Sequence, residues 1–149
     1  MATIREITAI ETFLVRHPVL RKGKPIESCQ FEGDDLNTTK HFGLYEDSNL
    51  VGVISIFECK SVLFNEKKQF QIRGMAVLEN FQKKGFGEAL MHHAELALQK
   101  EKANLIWFNA RKTALGFYEK LGYRIIGDPF EIENVGIHYL MYKKWNSID

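Results

Sequence analysis

A glycine-bearing turn followed by a helical pattern is the part of the sequence best suited to chemistry on a ligand. The turn Gln82–Gly87 follows an apolar strand pattern, Ile72–Leu78, and leads into an amphipathic pattern from Phe86 to about Gln99. The first turn of a helix presents unpaired N–H groups and the positive end of the helix dipole. Gly85 and Gly87 allow a ligand close to the backbone, because glycine has no Cβ. The pattern predicts a phosphate or pyrophosphate site.

Two common phosphate-binding motifs do not match this turn. A Walker loop requires G-x-x-x-x-G-K-[ST], and the sequence contains no such run. A dinucleotide fingerprint requires G-x-G-x-x-G with an acidic residue about 20 positions further on. Here Leu90 stands in place of the third glycine, and no acidic residue lies near Trp107. What remains is Gln82-x-x-Gly85-x-Gly87 after a strand, with Lys83 and Lys84 adding positive charge.

The hexad Gln82–Gly87 resembles the acetyl-CoA pyrophosphate loop of the GNAT superfamily of N-acetyltransferases. A second stretch, Trp107–Arg111 followed by Phe117–Tyr123, resembles another signature of that family, a strand with Asn and then a helix F-Y-E-K-L-G-[FY]. The resemblance covers roughly residues 40 to 145. It implies acetyl-CoA as co-substrate, no metal, and direct acetyl transfer to a primary amine of a small molecule or peptide.

The pattern order and the resemblance predict one α/β (α+β) domain over residues 1–149. We expect a mixed, mostly antiparallel sheet of six to seven strands with about four helices. Acetyl-CoA is expected in the opening between a bulged strand and the strand that ends at Asn109. The predicted strands are Ala2–Ile7, Thr38–Glu46, Leu50–Glu58, Gln69–Leu78, Leu105–Phe108 and Gly136–Trp145.

Local signals predict several details of these elements. Thr8 and Glu11 form a capping box that starts a helix at Ala9, with Phe13 and Leu14 on its apolar face. Pro18 should end or kink this helix. The apolar positions of the strand Gln69–Leu78 change phase at Gly74, which predicts a β-bulge. Further predictions are an irregular segment over residues 21–37, a turn at Gly127-Asp128-Pro129, and a helix with Ala114, Phe117 and Leu121 buried and Gly122 as its C-terminal cap.

The resemblance assigns roles along the acetyl-CoA molecule. Backbone N–H groups from about Lys84 to Glu88 should bind the pyrophosphate. The backbone of Met75 and Val77 should pair with the pantetheine arm and supply the oxyanion donor. The predicted cofactor contacts are Met75, Ala76, Val77, Gln82, Lys83, Lys84, Gly85, Phe86, Gly87, Glu88, Asn109 and Tyr118. Asn109 has an alternative interpretation as a turn or capping residue.

Tyr118 is the predicted general acid for the leaving thiolate, because GNAT-like enzymes place a tyrosine at this point. Its position next to Phe117 is equally that of an ordinary half-buried tyrosine. The general base is less defined, since Gln71 occupies the strand position where some relatives have glutamate. The remaining candidates are Glu32, Asp34, Asp35, Glu58, His138 or a chain of water molecules. We retain Asp35 and His138; the alternatives are a solvated acidic turn and a hydrogen-bonded structural histidine.

Composition narrows the classes of partner. The chain has 149 residues, a net charge of +1 and 45% apolar residues. It therefore gives no indication of nucleic-acid or membrane binding, and no run approaches the roughly 18 apolar residues of a spanning helix. Cys29 and Cys59 are too few for a disulfide framework, so we expect packed, reduced thiols and a cytoplasmic location. A homodimer is compatible with the sequence.

Three alternatives bear on function. The segments Cys29–Asp35, Phe130–Ile132 and Val135–His138 are similar to a branch of small bacterial GNAT proteins, the ElaA and YjcF type, although Gly136-Ile137-His138 lacks the proline usual there. A non-catalytic acyl-CoA sensor is a rival, because Gln71 cannot accept a proton as glutamate does. A second rival is an interaction domain that only keeps the fold.

Overall fold

The computed structural model describes residues 1–145, which contain seven strands and three α-helices. The strands are β1 Ala2–Ile7, β2 Lys40–Glu46, β3 Asn49–Glu58, β4 Gln69–Val77, β5 Leu105–Arg111, β6 Arg124–Ile132 and β7 Gly136–Lys144. The helices are α1 Ala9–Leu20, α2 Phe86–Lys100 and α3 Leu115–Lys120. The sheet order is β1-β2-β3-β4-β5-β7-β6.

The sheet is mixed and mostly antiparallel, as predicted. β4 and β5 run parallel, whereas β1 with β2, β2 with β3, β5 with β7 and β6 with β7 are antiparallel. The predicted α/β fold is therefore confirmed, with three α-helices among the described residues instead of about four. Residues 21–37, predicted to be an irregular segment, contain a short 3-10 segment at Ile26–Cys29.

The chain forms two compact units. The first comprises Met1–Glu58 and Ile72–Glu101, and the second comprises Cys59–Gln71 and the chain from Lys102 onward. Strand β4 contributes to both, and its residues Gln69–Gln71 pair with β5 in the second unit. The prediction of a single domain stays a prediction.

In the first unit, α1 and α2 cover opposite faces of β3. Val15 of α1 packs in a cluster with Val53, Ile7 and Ala76. A Cβ placed on the neighbouring Gly52 would lie 3.0 Å from Leu90 of α2. Consecutive strand residues point to opposite faces of the sheet, so Val53 faces α1 while Gly52 faces α2.

The start of α1 is as predicted, but its end and its buried face are not. Thr8 and Glu11 form the capping box. The helix continues through Pro18 to Leu20, so Pro18 does not end it, and the alternative of a kink stays a prediction. Proline removes one ladder hydrogen bond, to the carbonyl of Leu14. Leu14 is 68% exposed, so water can satisfy that carbonyl. The prediction that Leu14 lies on the buried face is also wrong. The buried residues of α1 are Ala9, Thr12, Val15 and Arg16.

The second unit differs from expectation in β6 and α3. Gly127-Asp128-Pro129 was expected to turn the chain, but it lies inside β6 at a register shift between Ile126 and Phe130. Gly127 has φ +78°, so the extra residues form a bulge and the strand continues. Phe117 is exposed, not buried. Gly122, with φ +96°, caps α3 as predicted.

Candidate active site

The turn before α2 has the geometry of an anion site. Gly85 is the N-terminal cap of the helix with φ +82°, a conformation that favours glycine. No side chain caps this end of α2, so the first N–H groups have no acceptor from a capping residue. A Cβ on Gly85 would meet no atom within 4 Å. The open space and the helix start therefore suit a bound anion.

Side chains around this turn have distinct roles. Gln82 donates from Nε2 to the Val77 carbonyl oxygen at 2.9 Å, which ties the turn to the end of β4. Lys83 has φ +64° and is exposed. Lys84 is also exposed, with Nζ 5.3 Å from the centre of the Phe81 ring. The two lysines supply positive charge beside the helix start, while Gln82 shapes the turn.

The predicted acetyl-CoA contacts on β4 follow an irregular point in the strand. Gly74 has φ +66°, outside the extended region, as expected for a bulge. Met75 is half-buried, whereas Ala76 and Val77 are buried. Gly74 therefore changes the direction of the backbone just before the three residues predicted to contact the pantetheine arm.

Replacing Gly74 by alanine should lower the free energy of unfolding by about 1–3 kcal/mol, since non-glycine residues are strained at this φ. The new Cβ would also lie 3.0 Å from Phe31 Cε2 and 3.3 Å from Arg16 Nε. Urea denaturation measures the effect. The control is Gly116→Ala, where a Cβ meets nothing within 4 Å. Equal stability of the two variants would contradict the strain at Gly74.

Tyr118 lies on α3 among aromatic rings. Its ring centre is 4.5 Å from that of Phe108 and 5.0 Å from that of Phe117. Burial raises the pKa of the Tyr118 phenol to about 12. The phenol therefore keeps its proton throughout the ordinary pH range, as a general acid must.

His138 and Asn109 lie on the face of the β5–β7 pair opposite to Phe108, the residue that contacts Tyr118. Asn109 pairs with Leu140, and Arg111 pairs with His138. Side chains at paired positions share a face, and alternate residues of a strand share a face. Asn109 and His138 are therefore on one face, while Phe108, which contacts Tyr118, is on the opposite one. Asn109 is exposed and lies within β5, which excludes its interpretation as a turn or capping residue.

The His138 ring is buried and hydrogen-bonded. Its Nδ1 lies 2.9 Å from the Gly136 carbonyl oxygen. Because a carbonyl oxygen only accepts, Nδ1 carries the hydrogen in this bond. Nε2 of the neutral ring then has the lone pair. The predicted structural hydrogen bond is present, and it leaves a nitrogen that can accept a proton.

The carboxylates of the segment 31–35 divide into two kinds. Glu32 and Asp35 are exposed, and Gln30 donates to Asp35 Oδ2 at 3.2 Å. Asp34 is buried and forms an ion pair with Arg16 at 2.6 Å. Asp34 is thus engaged in the interior and unsuited to act as a base. Glu58 is exposed and Gln71 is half-buried.

A buried polar network around Arg16 was missed by the sequence analysis. Arg16 Nη1 donates to the Cys29 carbonyl oxygen at 2.8 Å, and Nη2 donates to Ser55 Oγ at 3.0 Å. His41 contacts Ser55 Oγ through Nδ1 at 2.6 Å and the Asp34 carbonyl oxygen through Nε2 at 2.9 Å. Arg16 follows Ala9 and Thr12 at helical spacing, which was the available signal for a buried arginine.

The two cysteines differ in environment. Cys29 is buried, and burial raises the pKa of its thiol. A thiol with a raised pKa is a poor nucleophile near neutral pH. Cys59 is exposed, so the expectation of two packed thiols holds only for Cys29.

Residues 26–144 match the family model described as an acetyltransferase (GNAT) domain. The chain belongs to the GNAT acetyltransferase family. Family membership confirms the predicted enzyme class, an acyltransferase that uses acetyl-CoA. No helix within residues 1–145 has both the length and the apolar character needed to cross a membrane.

Similar proteins agree with this family. An uncharacterized N-acetyltransferase of Bacillus subtilis, YitI, is 34% identical over 143 residues, which is 96% of each chain. Escherichia coli ElaA has a similar structure, with a TM-score of 0.75, 16% identity and coverage of 97% of this chain and 100% of ElaA. A GNAT family acetyltransferase of Elizabethkingia anophelis with acetyl-CoA bound has a TM-score of 0.69, 15% identity and coverage of 97% and 98%. The likeness to ElaA concerns the fold, so membership of its branch stays a prediction.

Proposed function

We propose that this GNAT protein transfers the acetyl group of acetyl-CoA directly to a primary amine of a small molecule or peptide. The observation that carries the proposal is the start of α2, where Gly85 brings no side-chain cap and leaves open space before the backbone. Backbone N–H groups of residues 84–88 bind the pyrophosphate. Hydrogen bonds to a charged acceptor of this kind contribute about 1.5–3 kcal/mol each.

The transfer is a single displacement at the thioester carbonyl. The neutral amine nitrogen attacks the carbonyl carbon, and backbone N–H groups at Met75 and Val77 stabilise the oxyanion. The carbon–sulfur bond then breaks, and Tyr118 donates its proton to the leaving thiolate. The base removes a proton from the nitrogen. The products are an acetamide and CoA with a free thiol.

The acid and the base act in two separate proton transfers. The strand register puts Phe108, which contacts Tyr118, and His138 on opposite faces of the β5–β7 pair. A direct hydrogen bond between Tyr118 and His138 is therefore not part of the mechanism. His138 Nε2 is the proposed base, and Asp35 is the alternative.

Replacing His138 by glutamine should lower kcat about 100-fold, at the low end of the effect of general bases, because water can accept the proton in part. Release of the CoA thiol, followed spectroscopically over a range of amine concentrations, measures this. Asp35→Asn is the paired variant. A large loss in Asp35→Asn with normal turnover in His138→Gln would assign the base to Asp35 instead.

A binding measurement tests the proposal as a whole. Acetyl-CoA at 100 times its Kd should stabilise the folded protein by about 2.7 kcal/mol, which raises the melting temperature. Release of CoA in the presence of a panel of primary amines should follow. Acetyl-CoA that leaves the melting temperature unchanged, with no CoA release, would contradict the proposal.

A non-catalytic acyl-CoA sensor is the second candidate, and Gln71 is the observation that favours it. An amide cannot accept a proton as a carboxylate can. Acetyl-CoA binding by calorimetry without CoA release across the panel would support the sensor. Light scattering tests separately whether the protein forms the homodimer with which its sequence is compatible.

A further inference from the structure

One face of strands β5, β7 and β6 carries an arginine, a histidine and a phenylalanine in a row. Arg111 of β5 pairs with His138 of β7, and His138 pairs with Phe130 of β6. Side chains at paired positions point to the same face, and their Cα atoms are about 4.5–5.5 Å apart. The three side chains therefore start side by side across three neighbouring strands, all within the second unit.

Arg111 supplies positive charge at one end of this row. Its side chain is exposed, and within residues 1–145 no hydrogen bond or ion pair engages its guanidinium. The next positions on the same face are Asn109, Leu140 and Ile126, which have no charge. The Arg111 guanidinium can therefore bind an anion from solvent, and its geometry suits both oxygens of a carboxylate.

His138 lies in the middle of the row with a fixed ring. Its Nδ1 is bonded to the Gly136 carbonyl oxygen at 2.9 Å, and the Phe130 ring centre is 6.0 Å from that of the imidazole. These two contacts fix the position of Nε2, the proposed proton acceptor. Arg111 and Phe130 flank the imidazole, so a ligand bound to both of them lies against it.

Phe130 supplies an apolar surface at the other end of the row. Its side chain is 37% exposed, and β6 is the last strand in the sheet order. Part of the ring is thus open to a ligand. An apolar group that packs on it removes apolar surface of both partners from water, which favours binding.

We propose that Arg111, His138 and Phe130 form the acceptor subsite and that the acceptor is an α-amino acid with an apolar side chain. Arg111 binds the carboxylate, the amine lies at His138 Nε2, and the side chain packs on Phe130. An α-amino acid carries these three groups on one carbon, which matches three neighbouring positions of the sheet. This inference rests on the proposed function and specifies its substrate class.

The chemistry is that of the proposed transfer. The nitrogen–carbon bond forms as the carbon–sulfur bond breaks, His138 takes a proton from the nitrogen, and the thiolate takes the proton of Tyr118. The products are an N-acetylated amino acid and CoA. The carboxylate keeps its charge throughout, so its bond to Arg111 is equally strong before and during the reaction. Such an interaction lowers KM and leaves kcat unchanged.

CoA release with L-phenylalanine, L-leucine and glycine, each compared with its amide, tests the substrate class. The amide keeps the amine and the side chain but lacks the negative charge, and it resembles the N-terminus of a peptide. We expect the acids to have the higher kcat/KM, with phenylalanine and leucine above glycine. Equal use of acids and amides, preference for the amides, or equal use of glycine and phenylalanine overturns the proposal.

Variants of the arginine assign the role of the charge. Arg111→Gln should raise KM for the acids by roughly 10- to 100-fold, with kcat and the amides little changed, and Arg111→Lys should recover part of the loss. The control is Arg124→Gln. Arg124 is exposed on the same face, but it pairs with Tyr142, four residues or about 13 Å along β7 from His138.

The control should leave the acid-to-amide ratio of kcat/KM as it is in the unaltered protein. An unchanged ratio in Arg111→Gln, or an equal loss for acids and amides, overturns the role of Arg111. So does a rise in KM for acetyl-CoA that accounts for the whole loss.

A variant of the phenylalanine assigns the role of the ring. Phe130→Ala should lower kcat/KM for phenylalanine about 10-fold and leave that for glycine nearly unchanged. An equal loss for both amino acids would show that the ring only supports His138, which overturns its part in the subsite.

The subsite and the proposed function fail differently. Turnover of amines without regard to the carboxylate contradicts the subsite alone. Acetyl-CoA that neither raises the melting temperature nor releases CoA contradicts the acetyltransferase activity, and the subsite with it. Acetyl-CoA binding without turnover of any amino acid in the panel also overturns the subsite.

Discussion

Replacing Asp34 by alanine is expected to lower the free energy of unfolding by about 3–5 kcal/mol, the usual cost of removing one partner from a buried ion pair. Arg16 and Asp34 have fully buried side chains, so the guanidinium would keep its charge without a carboxylate. Asp34 Oδ2 also accepts from the Phe31 N–H at 2.8 Å. The variant therefore loses the pair and the anchor of the segment that positions Phe31.

Urea denaturation with circular dichroism measures this effect. Asp35→Ala is the matched control, because it removes a neighbouring carboxylate that is exposed. The control should change stability by no more than about 0.5 kcal/mol. Similar stability of the two variants would show that the buried pair contributes little. If Asp34→Ala does not fold, Asp34→Asn, which retains one oxygen acceptor, provides the measurable intermediate.

Replacing Tyr118 by phenylalanine is expected to lower kcat by about 10²- to 10⁴-fold, the range for loss of a general acid. The variant loses only the hydroxyl, so packing against Phe108 is preserved. The KM for acetyl-CoA should change much less than kcat. Tyr142→Phe, which alters another partly buried tyrosine of the second unit, is the control. Unchanged turnover in Tyr118→Phe would remove the assignment.

The pH dependence gives a separate test of the same residue. A general acid is active when protonated, so activity falls as pH rises through its pKa. Burial raises the pKa of Tyr118 to about 12, above the ordinary value of about 10. The kcat profile should therefore show no loss assignable to this group up to pH 10. A loss centred near or below pH 10 that disappears in Tyr118→Phe would contradict the raised pKa.

Local signals predicted the elements whose structure depends on a few neighbouring residues. Thr8 and Glu11 satisfy helix N–H groups of their own first turn, so the start of α1 was readable. Gly85 precedes α2 and Gly122 follows α3 because each adopts a positive φ that glycine tolerates. The irregularity at Gly74, with φ +66°, follows the same logic.

Errors arose where packing or strand pairing decided the outcome. Gly127-Asp128-Pro129 has turn composition, but β7 pairs on both sides of it and holds the residues within β6. Leu14 and Phe117 are apolar and were expected inside, yet the helices place Arg16 and Tyr118 against other elements instead. Hydrophobic character alone did not determine which side of a short helix is buried.

The sequence by itself determined the family, the glycine-bearing turn before α2 and the order of most elements, because these depend on contiguous residues and short spacings. Only the tertiary structure decided that Arg16 pairs with Asp34, 18 positions away, and that Arg73 shares Phe31 with two other arginines. It also decided that His138 and Phe108, the ring that contacts Tyr118, lie on opposite faces of the β5–β7 pair. Such contacts depend on helix rotation and strand register, which are set by packing across the whole chain and not by local propensity.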